Sequence, residues 1–369
     1  MKLQDHKVQA PIERIDFFSG IVPVKCIFST GQVNSFEFTL VRIISGKHFG
    51  WGETLAETTD SMLAVARSLI GRDASSLDDI LVAELDLESN IRPFIEGFSI
   101  AAFDLVSRLY NKPFCQILGE PKRRAIPLMP CIFPFNPVDA AKKALHFKGR
   151  GMRYLKMKLT ADAVSDIATV STIRTAVGSD IVLQGDVNQG YNIKQIETGI
   201  LADLRKAGLD IIEDPTEASP DQYKQFRHEQ HPKIMIDIPA RTNKLLNEFL
   251  QTGATDMVNL HPCQQGTISN AILRAEMCQQ YNIPAIVGGT GYVAVGTSAY
   301  QHLAAVICTD EPCGELGGCI DHGMPTGLCE MIDQNAGMVD LSCKPGLGVV
   351  PDLQQIAPYL TNTCSISSS

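Results

Sequence analysis

The sequence predicts a (β/α)8 barrel of the TIM type preceded by an N-terminal α+β domain, on three observations. Three short apolar runs, at residues 181–186, 209–213 and 233–237, each end on a carboxylate: Asp186, Glu213 and Asp237. The gaps between those acids are 27 and 24 residues, which is what a strand, a helix and two loops consume. The first hundred residues lack this alternation and place strands before helices, an α+β pattern. In a (β/α)8 barrel the strands' C-terminal ends form the active site, so the three acids are expected to converge there. Clustered carboxylates repel unless a cation compensates them, and hard oxygen ligands suit Mg2+, with Mn2+ as the other ion such a site takes.

Taken in order, residues 24–28, 35–44 and 50–54 alternate apolar and polar between Gly and Ser breaks and read as an antiparallel sheet. Residues 60–71 and 95–117 carry helical periodicity, the second with Ala101, Leu105 and Leu109 on one face and Phe98 and Ala102 beside them. From Ala125 strand and helix alternate: a strand at 126–132, a helix at 137–148, a strand at 154–159, then the three acid-ended strands. Strands at 257–260 and 283–287 follow, with a weaker eighth at 313–320. Residues 337–350 read as a strand and turn returning to the first domain, and the Ser/Thr-rich tail 361–369 as frayed. The expected division is a capping domain at 1–124, the barrel at 125–328, and a segment at 329–369 that packs back on the capping domain.

The composition, 44% hydrophobic and 20% charged, supplies an ample core. A net charge of −9 without long charged runs argues against a nucleic-acid partner. Eleven cysteines are odd in number and irregularly spaced with no CxxC pair, so free thiols in a reducing cytoplasm are expected. The N-terminus lacks a hydrophobic signal core and no apolar run approaches the length of a membrane span, so a soluble cytoplasmic protein is expected, a homo-oligomer acting on a small carboxylate.

The strand at 154–159 contains Lys156-Met157-Lys158. Side chains at i and i+2 share a face, so both lysines point into the barrel and Met157 points away. Two neighbouring ammonium groups lower the pKa of at least one towards the range of a general base. Asn188, at i+2 from Asp186, is placed to orient that ligand or to meet substrate. Asp214 points outward by alternation, as a helix cap or ion-pair partner.

The order Lys156-x-Lys158, Asp186-x-Asn188, Glu213-Asp214-Pro215 and Asp237 at βα intervals resembles the enolase superfamily, in its mandelate racemase and muconate lactonizing branch. Gly50-Trp51-Gly52-Glu53, Asp256-Met257-Val258-Asn259-Leu260 and Lys344-Pro345-Gly346-Leu347-Gly348 agree with it. The resemblance implies one Mg2+ held by Asp186, Glu213 and Asp237, with abstraction of a proton α to a carboxylate, leading to racemisation, epimerisation or cycloisomerisation. It also implies that substrate choice lies in capping-domain loops, here residues 19–24 and 48–54.

The chain departs from the muconate lactonizing pattern at the sixth strand, where His261 stands in place of a lysine, and at Ile238, where an acid usually follows the aspartate. His261 is read as a second acid/base group or a substrate hydrogen-bonder. Gly288-Gly289-Thr290-Gly291 after the seventh strand permits close backbone approach to a ligand. Gly289, Thr290 and, near the eighth strand, Glu315 are candidate substrate contacts, with Asp321 and His322 beside it; His302, in a helical pattern, is not catalytic. The alternatives are an acid-sugar dehydratase with a single lysine base, a non-catalytic barrel that binds without turnover, and a sugar-phosphate barrel enzyme.

Overall fold

The computed structural model describes residues 9–28, 31–84, 92–133, 136–262, 266–289, 291–307, 313–314, 324–325, 328 and 334–368. Three antiparallel strands open the chain: β1 (Arg14–Phe28), β2 (Gly31–Ser45) and β3 (His48–Thr54). β2 and β3 pair from Ser45↔His48 across a two-residue turn whose first residue, Gly46, has φ +55°, a conformation that favours glycine. Helix Arg92–Leu109 lies on β3 and buries Phe98, Ala101, Ala102 and Leu105. The contact is close because Gly50 and Gly52 have no side chain: a Cβ on Gly52 would collide with the Gly97 carbonyl, and one on Gly50 with that of Ala101. Residues 19–24, expected as a loop, lie inside β1, and residues 48–54 are β3 itself.

The barrel begins with β4 (Ala125–Met129) and β5 (Cys131–Ile132). It continues through β6 (Tyr154–Lys158), β7 (Val182–Asp186), β8 (Ile211–Glu213), β9 (Lys233–Ile236), β10 (Met257–Leu260), β11 (Ala285–Val287) and β12 (Cys313–Gly314). Parallel ladders run from β5 through β12 and then to β4. β4 and β5 are one run of chain interrupted at Pro130, which has no N–H for the ladder, so the ring of eight closes through that strand. The expected eighth strand at 313–320 is seen at Cys313–Gly314; residues 315–320 lie outside the described residues.

A hairpin of β13 (Gln334–Asn335) and β14 (Met338–Asp340) adds to β4 on the barrel side. A few residues on, the chain reaches the first domain: Leu347 N–H donates to Asp104 Oδ1 (2.8 Å) and Gly346 N–H to the Lys112 carbonyl (2.9 Å). The tail expected to fray is instead β15 (Leu360–Ser367), paired with β1 from Arg14↔Ser367 to Gly20↔Leu360. Leu360, Cys364 and Ile366 lie half-buried against the core on one face, alternating with exposed Thr and Ser, and the strand pairs with the edge of β1. Among the described residues Cys26, Cys115, Cys131, Cys278, Cys343 and Cys364 are free thiols, and no helix is long and apolar enough to cross a membrane.

Two buried carboxylates tie the first domain to the loop after β11. Glu53, on β3, accepts the backbone N–H groups of Val293 (2.6 Å) and Gly296 (2.9 Å) at the start of helix Gly296–Val306. Burial pushes its pKa up to about 7, with those N–H bonds working the other way. Glu96 accepts the hydroxyls of Tyr292 and Tyr300 (the latter at 2.6 Å), and burial pushes it up to about 8 from the ordinary 4.5. The folded protein therefore holds these protons more tightly than the unfolded chain, and that stabilisation, complete below the ordinary carboxylate pKa, is lost as pH rises through the folded values. Urea unfolding between about pH 5 and about pH 8.5 is expected to show stability falling as pH rises, with a shallower slope in Glu96→Gln. Equal slopes in the two proteins would contradict the assignment.

Candidate active site

Period-two alternation builds the barrel interior in layers. The lowest layer is apolar, with Met129, Ile211, Met235, Met257 and Ile286 packed with Tyr154 and Val182. Two and four residues further along the strands stand Lys156 and Lys158, Gln184 and Asp186, Glu213, Asp237, and Asn259 and His261, none more than 8% exposed. The intervening Leu155, Met157, Leu183, Ile212 and Ile236 belong to the main core under the helices. The ladder sets Lys158 beside Asp186, and Asp186 beside Glu213.

Lys156 Nζ bridges Asp186 Oδ2 and Glu213 Oε2, at 3.0 Å from each. Lys158 Nζ lies 2.5 Å from Asp186 Oδ2 and 3.3 Å from Asn188 Oδ1. Asn188 has φ +48°, so strand alternation ends before it; its N–H donates to Asp186 Oδ1 at 2.9 Å. Glu213 is gripped on both oxygens, by Asn259 Nδ2 (2.8 Å) and by Gln184 Nε2.

Burial works against the charge of Asp186, yet the two lysines hold its pKa far below the carboxylate range. Burial, with Asp186 close by, pushes Glu213 up. For Lys158 the expected lowering is not what the metal-free protein shows. Burial presses its pKa down and so does Lys156, but the attraction of Asp186 outweighs them and the pKa is raised.

Asp214, expected to point outward, is buried with φ +44°, and its carboxylate accepts the N–H groups of Asp237 (3.0 Å) and Ile238 (2.8 Å). It thereby fixes the backbone that presents Asp237. Burial, then the charges of Asp237 and Glu213, raise its pKa well above the usual range. The left-handed turn at Asp214 breaks the alternation on which the outward reading rested.

His261 is buried with Nε2 3.9 Å from Asp237 Oδ2, and Arg241 Nη2 donates to the same oxygen at 3.2 Å. A Cβ on Gly288 would strike both the His261 ring and Asn259 Oδ1, so that glycine makes room for both. Gly289 is half-buried beside it; Thr290, Glu315, Asp321 and His322 lie outside the described residues. His302 is fully buried, its Nε2 3.2 Å from the Leu347 carbonyl, and burial pushes its pKa down to about 4. It serves packing.

The residues fit a divalent cation. Ligand atoms of Glu213, Asp237 and His261 all lie within 4.8 Å of one another, and Asp237 Oδ1 and His261 Nδ1 are buried without a partner among the described residues. Asp186 stands one residue pair away, joined to Glu213 through Lys156. The sequence reading missed Gln184 and Asn259; each lies two residues before a residue it did select, on the same inward face.

Residues 138–356 match the family described as Enolase C-terminal domain-like. The chain belongs to the enolase superfamily, in its mandelate racemase/muconate lactonizing family. N-succinyl-L-Arg/Lys racemase of Bacillus cereus is 26% identical over 257 residues, covering 69% of this chain and 68% of that one. L-Ala-D/L-Glu epimerase of Bacillus subtilis is 28% identical over 313 residues, 80% and 85% of the two chains. A dipeptide epimerase from Cytophaga hutchinsonii, solved with Mg and D-Ala-L-Val, superposes with a TM-score of 0.84 at 23% identity, over 96% of this chain and all of that one. The chain is accordingly an enzyme of the enolase superfamily.

The ion-pair network makes a stability prediction for the metal-free enzyme. Lys156→Met leaves Asp186 and Glu213 short of a shared cation and is expected to cost about 3–5 kcal/mol in chelator. Met157→Leu, a volume-conserving change in the outer core, is expected to cost less than about 1.5 kcal/mol. Urea unfolding checks both, and a Lys156→Met protein as stable as wild type would contradict the bridge.

Proposed function

We propose that this enolase-superfamily member isomerises a small carboxylate substrate by removing the proton on the carbon next to the carboxylate. Lys158 is the base, beside a Mg2+ or Mn2+ ion held by Asp186, Glu213 and Asp237. The observation that carries this reading is the position of Lys158 Nζ: at the strand ends, inside the barrel, in contact with Asp186 and within reach of Asn188. The bound ion would supply positive charge at the substrate carboxylate, where negative charge grows as the proton leaves.

The protein groups divide the remaining work. Asp186 draws the Lys158 pKa up against burial and Lys156; for the lysine to serve as base, that carboxylate's charge would have to be taken up by the ion it would hold. Lys156, deeper in the barrel, holds Asp186 and Glu213 at a fixed separation. Asn188 orients the Lys158 ammonium through its side-chain oxygen. Removal of the α-proton is the shared first step of racemisation, epimerisation and cycloisomerisation. The first two also need a proton carrier on the opposite face of the α-carbon, and buried His261, just after β10, supports that role. Acid-sugar dehydration is the alternative that needs Lys158 alone. The racemase and epimerase relatives favour N-acyl amino acids and dipeptides as the first substrates to try.

The test is deuterium uptake at the α-carbon in D2O, read by mass spectrometry over N-acyl amino acids, dipeptides and acid sugars. Wild type with Mg2+ is expected to exchange at least one class. Lys158→Ala is expected to lose exchange by about 10²–10⁴-fold, the usual worth of a positioned acid/base group. Exchange that survives in Lys158→Ala would refute the assignment of the base.

A further inference from the structure

We infer that His261 is itself a ligand of the metal ion, alongside Glu213 and Asp237, and that the site consequently prefers a borderline ion such as Mn2+ or Co2+ to Mg2+. The inference rests on the metal reading given under the proposed function. It starts from a gap. His261 Nε2 stops 3.9 Å from Asp237 Oδ2, too far for a hydrogen bond and farther than a charge-assisted pair, which closes to about 2.7–2.9 Å. In an octahedral shell with bonds of about 2.1 Å, neighbouring ligand atoms are about 3.0 Å apart and opposite ones about 4.2 Å apart. The measured separation falls inside that span, and the Glu213 oxygen joins the same group within 4.8 Å.

The state of each donor agrees. Asp186 has both oxygens engaged, Oδ1 by the Asn188 N–H and Oδ2 by two lysines, and Glu213 likewise, Oε1 by Asn259 and Oε2 by Gln184 and Lys156. Asp237 Oδ1 is buried and has no partner among the described residues, although unpaired buried polar atoms are costly; His261 Nδ1 is also unpaired there, but it faces away from an ion at Nε2. His261 is 7% exposed and Asp237 5%, so bulk water does not meet that need. A Cβ on Gly288 would strike His261 Nε2, so that edge of the ring packs beside the Gly288 backbone. An ion between the two side chains uses the lone pair of one and the charge of the other.

The metal preference follows from the donor atoms. Imidazole nitrogen binds Mn2+, Co2+ and Zn2+ with increasing strength, whereas Mg2+ favours oxygen. A His261 whose lone pair is on the ion does not accept a proton, so on this inference it is not the opposite-face carrier considered above; Lys158 is left as the acid/base group, which favours cycloisomerisation or dehydration over racemisation and epimerisation.

The test is electron spin-echo spectroscopy of Mn2+ bound to the wild-type enzyme, which detects ligand nitrogen directly and needs no substrate and no variant. A ¹⁴N modulation is expected, replaced by the ¹⁵N pattern when the protein is made with ¹⁵N-histidine. Equilibrium titration with Mn2+ and with Mg2+ supplies the second readout, with His261→Asn expected to lower the ratio of Mn2+ to Mg2+ affinity by about tenfold or more. Mn2+ that binds tightly with no ¹⁴N modulation, and a ratio unchanged in His261→Asn, would overturn the inference and leave the three-carboxylate site standing. A wild-type protein that binds neither ion would remove both.

Discussion

The structure turns on a charge balance inside the barrel. Two ammonium groups, Lys156 and Lys158, stand among three carboxylates, Asp186, Glu213 and Asp237, all almost wholly shielded from solvent. Lone buried ions of this kind cost several kcal/mol each, so the cluster is tolerable only because the charges meet at hydrogen-bonding distance. The formal sum of the five is one negative charge. A divalent cation turns it into one positive charge, which a carboxylate substrate would neutralise. The same residues thus hold their charges together in the fold and support the proposal of a divalent ion and an anionic substrate.

The scaffold around this cluster keeps it from collapsing. Lys156 touches both Asp186 and Glu213, and Gln184 and Asn259 fix the two Glu213 oxygens. Asp214 holds the backbone of Asp237 from below. On the outside, Glu53 and Glu96 bind the loop after β11 to the first domain, so the wall that carries Gly288 and frames His261 is anchored across two domains. The two lysines thus offset the repulsion among the carboxylates, while neutral amides and backbone N–H groups fix their positions.

Much of this was legible in the sequence because strands report their faces with a period of two. Lys156 and Lys158 inward with Met157 outward, and the acids at the ends of their apolar runs, follow from that period and from the βα spacing. The failures have local causes. Asp214 and Asn188 sit at left-handed backbone positions, where alternation stops applying. β15 alternates half-buried Leu360, Cys364 and Ile366 with exposed polar residues, a strand pattern that the Ser/Thr-rich composition of the tail masks. Lys158 was read against its nearest like charge, whereas in the fold its nearest neighbour is a carboxylate. Gln184 and Asn259 were visible by the same period but carry no charge to draw notice.

The central claim is that these strand ends form one metal site between the lysine wall and His261. Anomalous diffraction at the manganese edge from crystals grown with Mn2+ tests it most directly. The account predicts a single strong peak within bonding distance of Glu213 and Asp237, at about 2.0–2.3 Å, with Lys158 Nζ facing it across the cavity. A peak elsewhere on the molecule, with these carboxylates still closed on Lys156, would contradict it.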